Sequence, residues 1–307
     1  MDKKAIEIDA QVLRDAMKGS GTSEADIIRI TTNHTKKERQ ALKLAYKTAF
    51  GRDLIQDLSK ELSGHFKDTI LALYDTPAEF DAKCLYKALK GVGTDEDVLT
   101  EIICTRSSIL LNEVKEKYKE LYKEDIVTKI QKETSGHYKK FLTSLLQCNR
   151  SENPHPDEEQ MKSEAHQLYT AGEGKLGTDE EFFNKIFACR SPAEIYSINA
   201  WYTKLSNKSL RASIEKEFSG HIKKALLAVL DGILCPSEYF ALKVNKAVKG
   251  VGTNNSLLIR TLVSREEIDI PEMKVHYKAK VGKEMVEDII DDTSGDYKRT
   301  LVAICRK

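Results

Sequence analysis

One pattern recurs four times along this chain, and a chain built from four copies of one unit must bury four copies of one core. The segments Lys18-Gly-Ser-Gly-Thr22, Lys90-Gly-Val-Gly-Thr94, Gly174-Lys-Leu-Gly-Thr178 and Lys249-Gly-Val-Gly-Thr253 share it. Gly21, Gly93, Gly177 and Gly252 serve as origins. Forty residues beyond each stands an acid, Glu61, Glu133, Glu217 or Asp292, followed two residues later by Ser-Gly. Twenty-five residues beyond the origins stand Tyr46, Tyr118, Tyr202 and Tyr277. Thirteen beyond are His34, Arg106, Arg190 and Arg265, and 52 beyond are Leu73, Leu145, Val229 and Ile304.

Helical apolar spacing runs through the copies, as in Val12, Leu13, Ala16 and Met17, and no run alternates as a strand would. Glycine and proline are otherwise scarce, so each copy reads as about five short helices and the fold as all-α. Thr94 with Asp97 and Thr178 with Glu181 have capping-box spacing and are expected to start helices. Successive origins lie 72, 84 and 75 residues apart, which puts a linker between the middle copies, at Asn149-Arg-Ser-Glu-Asn-Pro-His-Pro156. The expected organisation is a short tail over 1–9, repeats over 10–75 and 76–148, a linker over 149–159, and repeats over 160–235 and 236–307.

A balance of 49 Lys and Arg against 48 Asp and Glu leaves no global field to hold a nucleic-acid backbone. Any charge-driven binding is therefore local. The longest unbroken apolar run, Ala225–Leu230, is six residues, far short of the roughly 18 that span a bilayer, and the start has no apolar signal core. Six cysteines without Cys-x-x-Cys spacing imply neither a zinc site nor a disulfide scaffold, so the expectation is a reduced, cytoplasmic protein. No Gly-x-Ser-x-Gly, P-loop or dinucleotide fingerprint is present. His65, His137 and His221 recur just after Ser-Gly, and threefold recurrence argues for a structural position over a catalytic one. No enzyme is expected.

By itself a glycine-rich loop before threonine needs no function: glycine ends a helix in the left-handed region, and threonine caps the next. An acid before Ser-Gly can equally serve a helix start. The pairing of the two says more. Helices of fixed length between loop and acid hold them at a repeatable separation, where glycine-loop carbonyls and a carboxylate supply the oxygen ligands of which Ca²⁺ takes roughly six to eight. One carboxylate with neutral carbonyls should bind Ca²⁺ weakly, on the order of 10⁻⁴ M or worse, so water or a lipid phosphoryl oxygen must complete each shell. Four such sites on one face would act together and give steep calcium and lipid dependence. Lys18, Lys90, Lys175 and Lys249 either face solvent or add about 1 kcal/mol each on an anionic leaflet. Leu176 either dips into the headgroup region or packs half-buried.

The four glycine loops, each with its acid 40 residues on and then Ser-Gly, resemble the type II calcium sites of annexins, and the resemblance covers practically the whole chain. It implies four five-helix repeats in a curved disc, with calcium loops on the convex side facing phosphatidylserine-rich membrane, and roles in membrane organisation, trafficking or repair. Carried over by position, the ligands would be the carbonyls of Met17, Gly19 and Gly21 with Glu61, and those of Leu89, Gly91 and Gly93 with Glu133. The fourth set is Val248, Gly250 and Gly252 with Asp292. The third loop, Ala171-Gly-Glu-Gly-Lys-Leu-Gly177, matches the variant loop of annexin third repeats and implies Gly172, Lys175 and Gly177 with Glu217. The partner implied is an anionic phospholipid surface, reached peripherally from the cytoplasm as calcium rises, with self-association there and leaderless secretion both open. A cortical or cytoskeletal protein with reduced calcium dependence is the rival reading.

Three departures stand out. His34 replaces the arginine usual at its position, which would weaken an ion pair there or make it pH-dependent. Asp81, Arg106 and Arg260 match residues of the polar centre through which some annexins are proposed to conduct ions, but Cys84 takes a place often held by glutamate. The tail before the first helix is expected to be about ten residues, short beside those of some relatives.

Overall fold

The computed structural model describes residues 3–19, 21–174 and 177–306. Among them the chain forms twenty helices and no strand, five to each repeat. The first repeat holds α1 (Lys3–Ala16), α2 (Glu24–Asn33), α3 (Lys36–Phe50), α4 (Leu54–Glu61) and α5 (Gly64–Leu73). The second holds α6 (Pro77–Leu89), α7 (Glu96–Thr105), α8 (Ser108–Tyr122), α9 (Ile126–Glu133) and α10 (Gly136–Leu146). The third holds α11 (Glu158–Ala171), α12 (Glu180–Cys189), α13 (Pro192–Ser206), α14 (Leu210–Glu217) and α15 (Gly220–Leu234). The fourth holds α16 (Pro236–Val248), α17 (Asn255–Arg265), α18 (Ile270–Val281), α19 (Met285–Asp292) and α20 (Gly295–Cys305).

Helix α1 corrects one expectation. It starts at Lys3, well inside the expected tail, because Ile6, Ala10, Leu13 and Ala16 form one apolar stripe that is buried along its length. That stripe meets Ile27, Ile30, Leu42, Leu58 and Tyr46 in the core of the first repeat. Burying a side chain such as Leu42 contributes roughly 1.5–3 kcal/mol, and Leu42→Ala would forfeit about 2–5 kcal/mol through lost transfer and the cavity left behind. The four recurrent tyrosines are all fully buried, which explains their recurrence by packing.

Punctuation between helices follows local chemistry. Thr35 with Glu38 and Ser191 with Glu194 form complete capping boxes at α3 and α13. The third helix of each repeat stops at a left-handed residue: Gly51, Lys123, Asn207 or Gly282. Each Ser-Gly then opens the fifth helix with the glycine near φ 60°, where a side chain would be strained. This backbone requirement accounts for Ser-Gly without any ligand.

The helices form two compact units, residues 1–80 with 237–307, and residues 81–236. In the first unit α1 packs on α3, α2 on α20, and α5 on α17 and α20. There the fully buried Arg39 meets Glu266 through two bonds of 2.9 and 2.6 Å and also donates to Thr31 O. Such a pair contributes little net stability, yet removing either partner strands a buried charge. In the second unit α11 packs on α13, α7 on α15, and α10 on α12.

The position of His34 shows how one role is filled in four ways. Arg106 Nε donates to Asp81 Oδ2 at 2.7 Å, and Arg190 Nε to Glu164 Oε2 at 2.8 Å. His34 Nε2 lies 3.2 Å from Asp9 Oδ2, the matching acid of the first repeat, and its Nδ1 lies 2.7 Å from Ile30 O. In the fourth repeat the acid is replaced by Phe240, so Arg265 stacks over that ring at 4.4 Å and takes Asp269 from its own segment. No described helix is long and apolar enough to cross a membrane.

Candidate metal centres

Each loop is closed by one backbone bond. Ser23 N donates to Ala16 O, Asp95 N to Ala88 O, Asp179 N to Ala171 O, and Asn254 N to Ala247 O, at 2.7–3.0 Å. The residues between form a small ring on which the expected carbonyl ligands lie. Met17 and Leu89 start their rings with side chains in the core. Gly19, Gly21, Gly91, Gly93, Gly250 and Gly252 all have φ between 83° and 124°, a region closed to ordinary side chains. Val248 starts the fourth ring and is half-buried.

The third ring is one residue longer. Gly172 is buried at φ −114°, ψ −100°, and Gly177 has φ 84°. Gly174 lies so close to α11 that a Cβ there would stand 3.0 Å from Thr170 Cα. Lys175, named above as a ligand, and Leu176 lie outside the described residues.

The loop threonines behave differently from the sequence expectation. Asp95 and Asp179, not Thr94 and Thr178, cap α7 and α12, accepting from Val98 N and Phe182 N. A carboxylate one residue on takes the cap, which frees the threonine hydroxyl to turn toward the distant acid. Thr22 Oγ1 donates to Glu61 Oε2 at 3.4 Å and Thr178 Oγ1 to Glu217 Oε2 at 3.2 Å. Thr94 Oγ1 donates to Glu133 O at 3.4 Å and Thr253 Oγ1 to Asp292 O at 2.8 Å. In every repeat, then, loop and acid are joined by a hydrogen bond spanning 39 residues.

The four acids differ in surroundings. Glu61 is exposed, while Glu133, Glu217 and Asp292 are half-buried. Glu133 pairs with Lys129 at 3.3 Å and Glu217 with Lys216 at 3.1 Å. Asp292 Oδ2 is buried and accepts no hydrogen bond among the described residues. It lines a cleft of about 620 Å³ with Val248, Gly250, Lys280, Lys283 and Asp291. A buried, unpartnered carboxylate oxygen in a cleft shared with the glycine loop fits a hard divalent cation, which takes oxygen donors and accepts incomplete protein cages.

Behind each acid lies a supporting layer that the spacing rules overlooked. Thirty-six residues past the origins stand Asp57, Lys129, Ser213 and Asp288. The Asp57 carboxyl is lowered from its ordinary value by the hydrogen bonds of Arg52 and, against the upward push of burial, by that of the Tyr46 hydroxyl. Burial pushes the Tyr277 phenol, which donates to Asp288, up to about 12. In the third repeat Glu173 meets Ser213 and Lys208, and those bonds outweigh the upward push of burial to hold its carboxyl low. The signal for this layer was available as a fourfold alignment of one variable column.

The annexin family model matches residues 8–73, 80–145, 163–229 and 239–304. Annexin A11 of Oryctolagus cuniculus is 42% identical over 297 residues, covering 97% of this chain and 59% of the relative, so the chain spans about three fifths of that protein's length. The solved structure of annexin III matches with a TM-score of 0.95 at 38% identity, covering 98% of this chain and 94% of the other. A calcium-bound annexin (Sm)1 matches with a TM-score of 0.91 at 32% identity, covering 98% and 90%.

Proposed function

The chain belongs to the annexin family, and on that premise we propose that it docks reversibly on anionic phospholipid membranes through calcium ions held in its four loops. The observation that carries this reading is the hydrogen bond between loop threonine and distant acid in all four repeats, which brings a glycine-rich loop and one acidic residue together each time. Each locus would use the carbonyls and acid named for it above. A calcium-bound relative of the same fold supports the choice of ion.

A single negative charge leaves each bound Ca²⁺ with a net positive charge and open positions, which phosphoryl or carboxyl oxygens of a phosphatidylserine headgroup would fill. The tips support contact with lipid as well: Val92 and Val251 are fully exposed, an arrangement that costs solvation in water and is relieved in a headgroup layer. Weak single contacts become a firm attachment only when several form at once, so binding should rise steeply with calcium. The protein acts here as a binding module, not an enzyme, and works peripherally, consistent with roles in membrane organisation, trafficking or repair.

Sedimentation with phosphatidylserine vesicles tests the proposal. Wild type should pellet with vesicles in calcium and stay in solution with chelator. The combined variant Glu61→Gln, Glu133→Gln, Glu217→Gln and Asp292→Asn should keep its helical circular dichroism and lose the calcium response. Pelleting that ignores chelator would favour the calcium-independent cortical reading instead.

A further inference from the structure

The supporting layer in the third repeat is wired differently from those of the first and fourth. In the first, Asp57 of α4 accepts from the Tyr46 hydroxyl at 2.9 Å and from Arg52 at 2.6 and 2.7 Å. In the fourth, Asp288 of α19 accepts from Tyr277 at 2.6 Å and from Lys283 at 3.2 Å. A carboxylate on the fourth helix thus answers a basic residue five positions earlier. Helix α14 offers only Ser213 at that place, yet the basic residue, Lys208, is still present.

The missing carboxylate comes from the loop. Counted from the alanine that closes each ring, Glu173 stands two residues on, where the other loops carry Lys18, Lys90 and Lys249; counted back from Gly177 across the longer ring, their place is Gly174. One of its oxygens lies 3.2 Å from Lys208 Nζ and the other accepts from Ser213 Oγ at 3.0 Å. Its side chain is only 8% exposed. Both of its carboxylate oxygens are thus engaged with other side chains of the third repeat.

We propose that Glu173 is a positioning residue of the third calcium site: through Ser213 and Lys208 it ties the loop to α14, whose last residue is Glu217, and so sets loop carbonyls and carboxylate in register before calcium arrives. Pre-organisation of this kind raises affinity by removing an ordering cost from the binding step. The proposal deepens the docking reading and rests on it.

The test uses the full chain and calcium titrations of sedimentation with phosphatidylserine vesicles. Glu173→Gln should raise the half-maximal calcium concentration about threefold, as suits the loss of an ion pair whose lysine is still open to solvent. On a Glu217→Gln background the same change should add nothing further, because the site it serves is already disabled. The charge swap Glu173→Lys with Lys208→Glu should recover most of the loss. A Glu173→Gln protein with wild-type or tighter calcium response overturns the proposal, as does a threefold shift that persists undiminished beside Glu217→Gln, since that is the behaviour of a general fold stabiliser. Wild type that ignores calcium altogether overturns the docking reading itself, an outcome visible before any variant is compared.

Discussion

The second and fourth repeats share a backbone and differ in what stands one turn before the site acid. On α9, Lys129 reaches Glu133 at 3.3 Å and Glu124 at 3.9 Å, so the acid already shares a cation supplied by the chain. On α19, Asp288 faces Tyr277 and Lys283, and Asp292 Oδ2 is left buried without a hydrogen bond among the described residues. If the loops hold calcium as proposed, an ion at the second would compete with an ammonium, and at the fourth it would give a buried oxygen its first partner. Four copies of one loop thus place their acids in unequal surroundings.

The largest consequence concerns the acids. Asp292→Asn should raise the calcium needed for half-maximal vesicle binding about tenfold, and Glu133→Gln only about twofold, as losses of roughly 1.4 and 0.4 kcal/mol would give. Equal shifts in the two variants would break the comparison. A smaller and opposite effect is expected at Lys129. Exposed ion pairs are worth about 0–1 kcal/mol, so Lys129→Ser, which installs the third repeat's residue, should lower the calcium requirement by about twofold at most. It should leave helicity unchanged, because the Lys129 side chain is 26% exposed and meets the carboxylates of Glu133 and Glu124. A rise in the calcium requirement would show that the lysine assists lipid binding more than it blocks the ion.

Much of this architecture could be read from spacing, and the reasons are physical. The Tyr46 series recurs because each ring fills a core, and Ser63-Gly64 and its copies recur because a glycine near φ 60° must open each fifth helix. Invariant backbone demands leave invariant letters. At α7 spacing points to Thr94, since Thr94 and Asp95 both carry cap-forming oxygens, and only the fold shows that the hydroxyl is drawn off to Glu133. The start of α1 is less legible, because Lys3 and Lys4 precede the apolar stripe that begins at Ile6. Glu173 and Lys129 leave no such signature, because they stand where the copies differ from one another. The contacts that join loop, acid and supporting layer span about 40 residues, too far for local pattern rules to rank one polar side chain above its neighbours.

The smallest effect on calcium is expected at the first repeat's occupant of the same position. Asp57 lies behind the acid and is held by Arg52 and Tyr46, with Arg14 of α1 further off at 3.7 Å, and by no residue of the loop itself, so Asp57→Asn should leave the calcium requirement where it is. Its effect should appear in stability instead, at about 1–2 kcal/mol for hydrogen bonds to a charged group. Because the folded carboxyl titrates below its ordinary value near 3.9, the unfolded chain binds the proton more readily. The stabilisation is therefore complete above about pH 4 and is lost as pH falls through the lower folded value. Thermal unfolding followed by circular dichroism should show wild type above Asp57→Asn at pH 7, with the gap closing in strong acid. Lys129→Ser carries no carboxylate change and should show a gap that does not close this way. If Asp57→Asn shifted the calcium titration as strongly as Glu173→Gln, anchoring by the loop would lose its claim to be what separates the third repeat from the first.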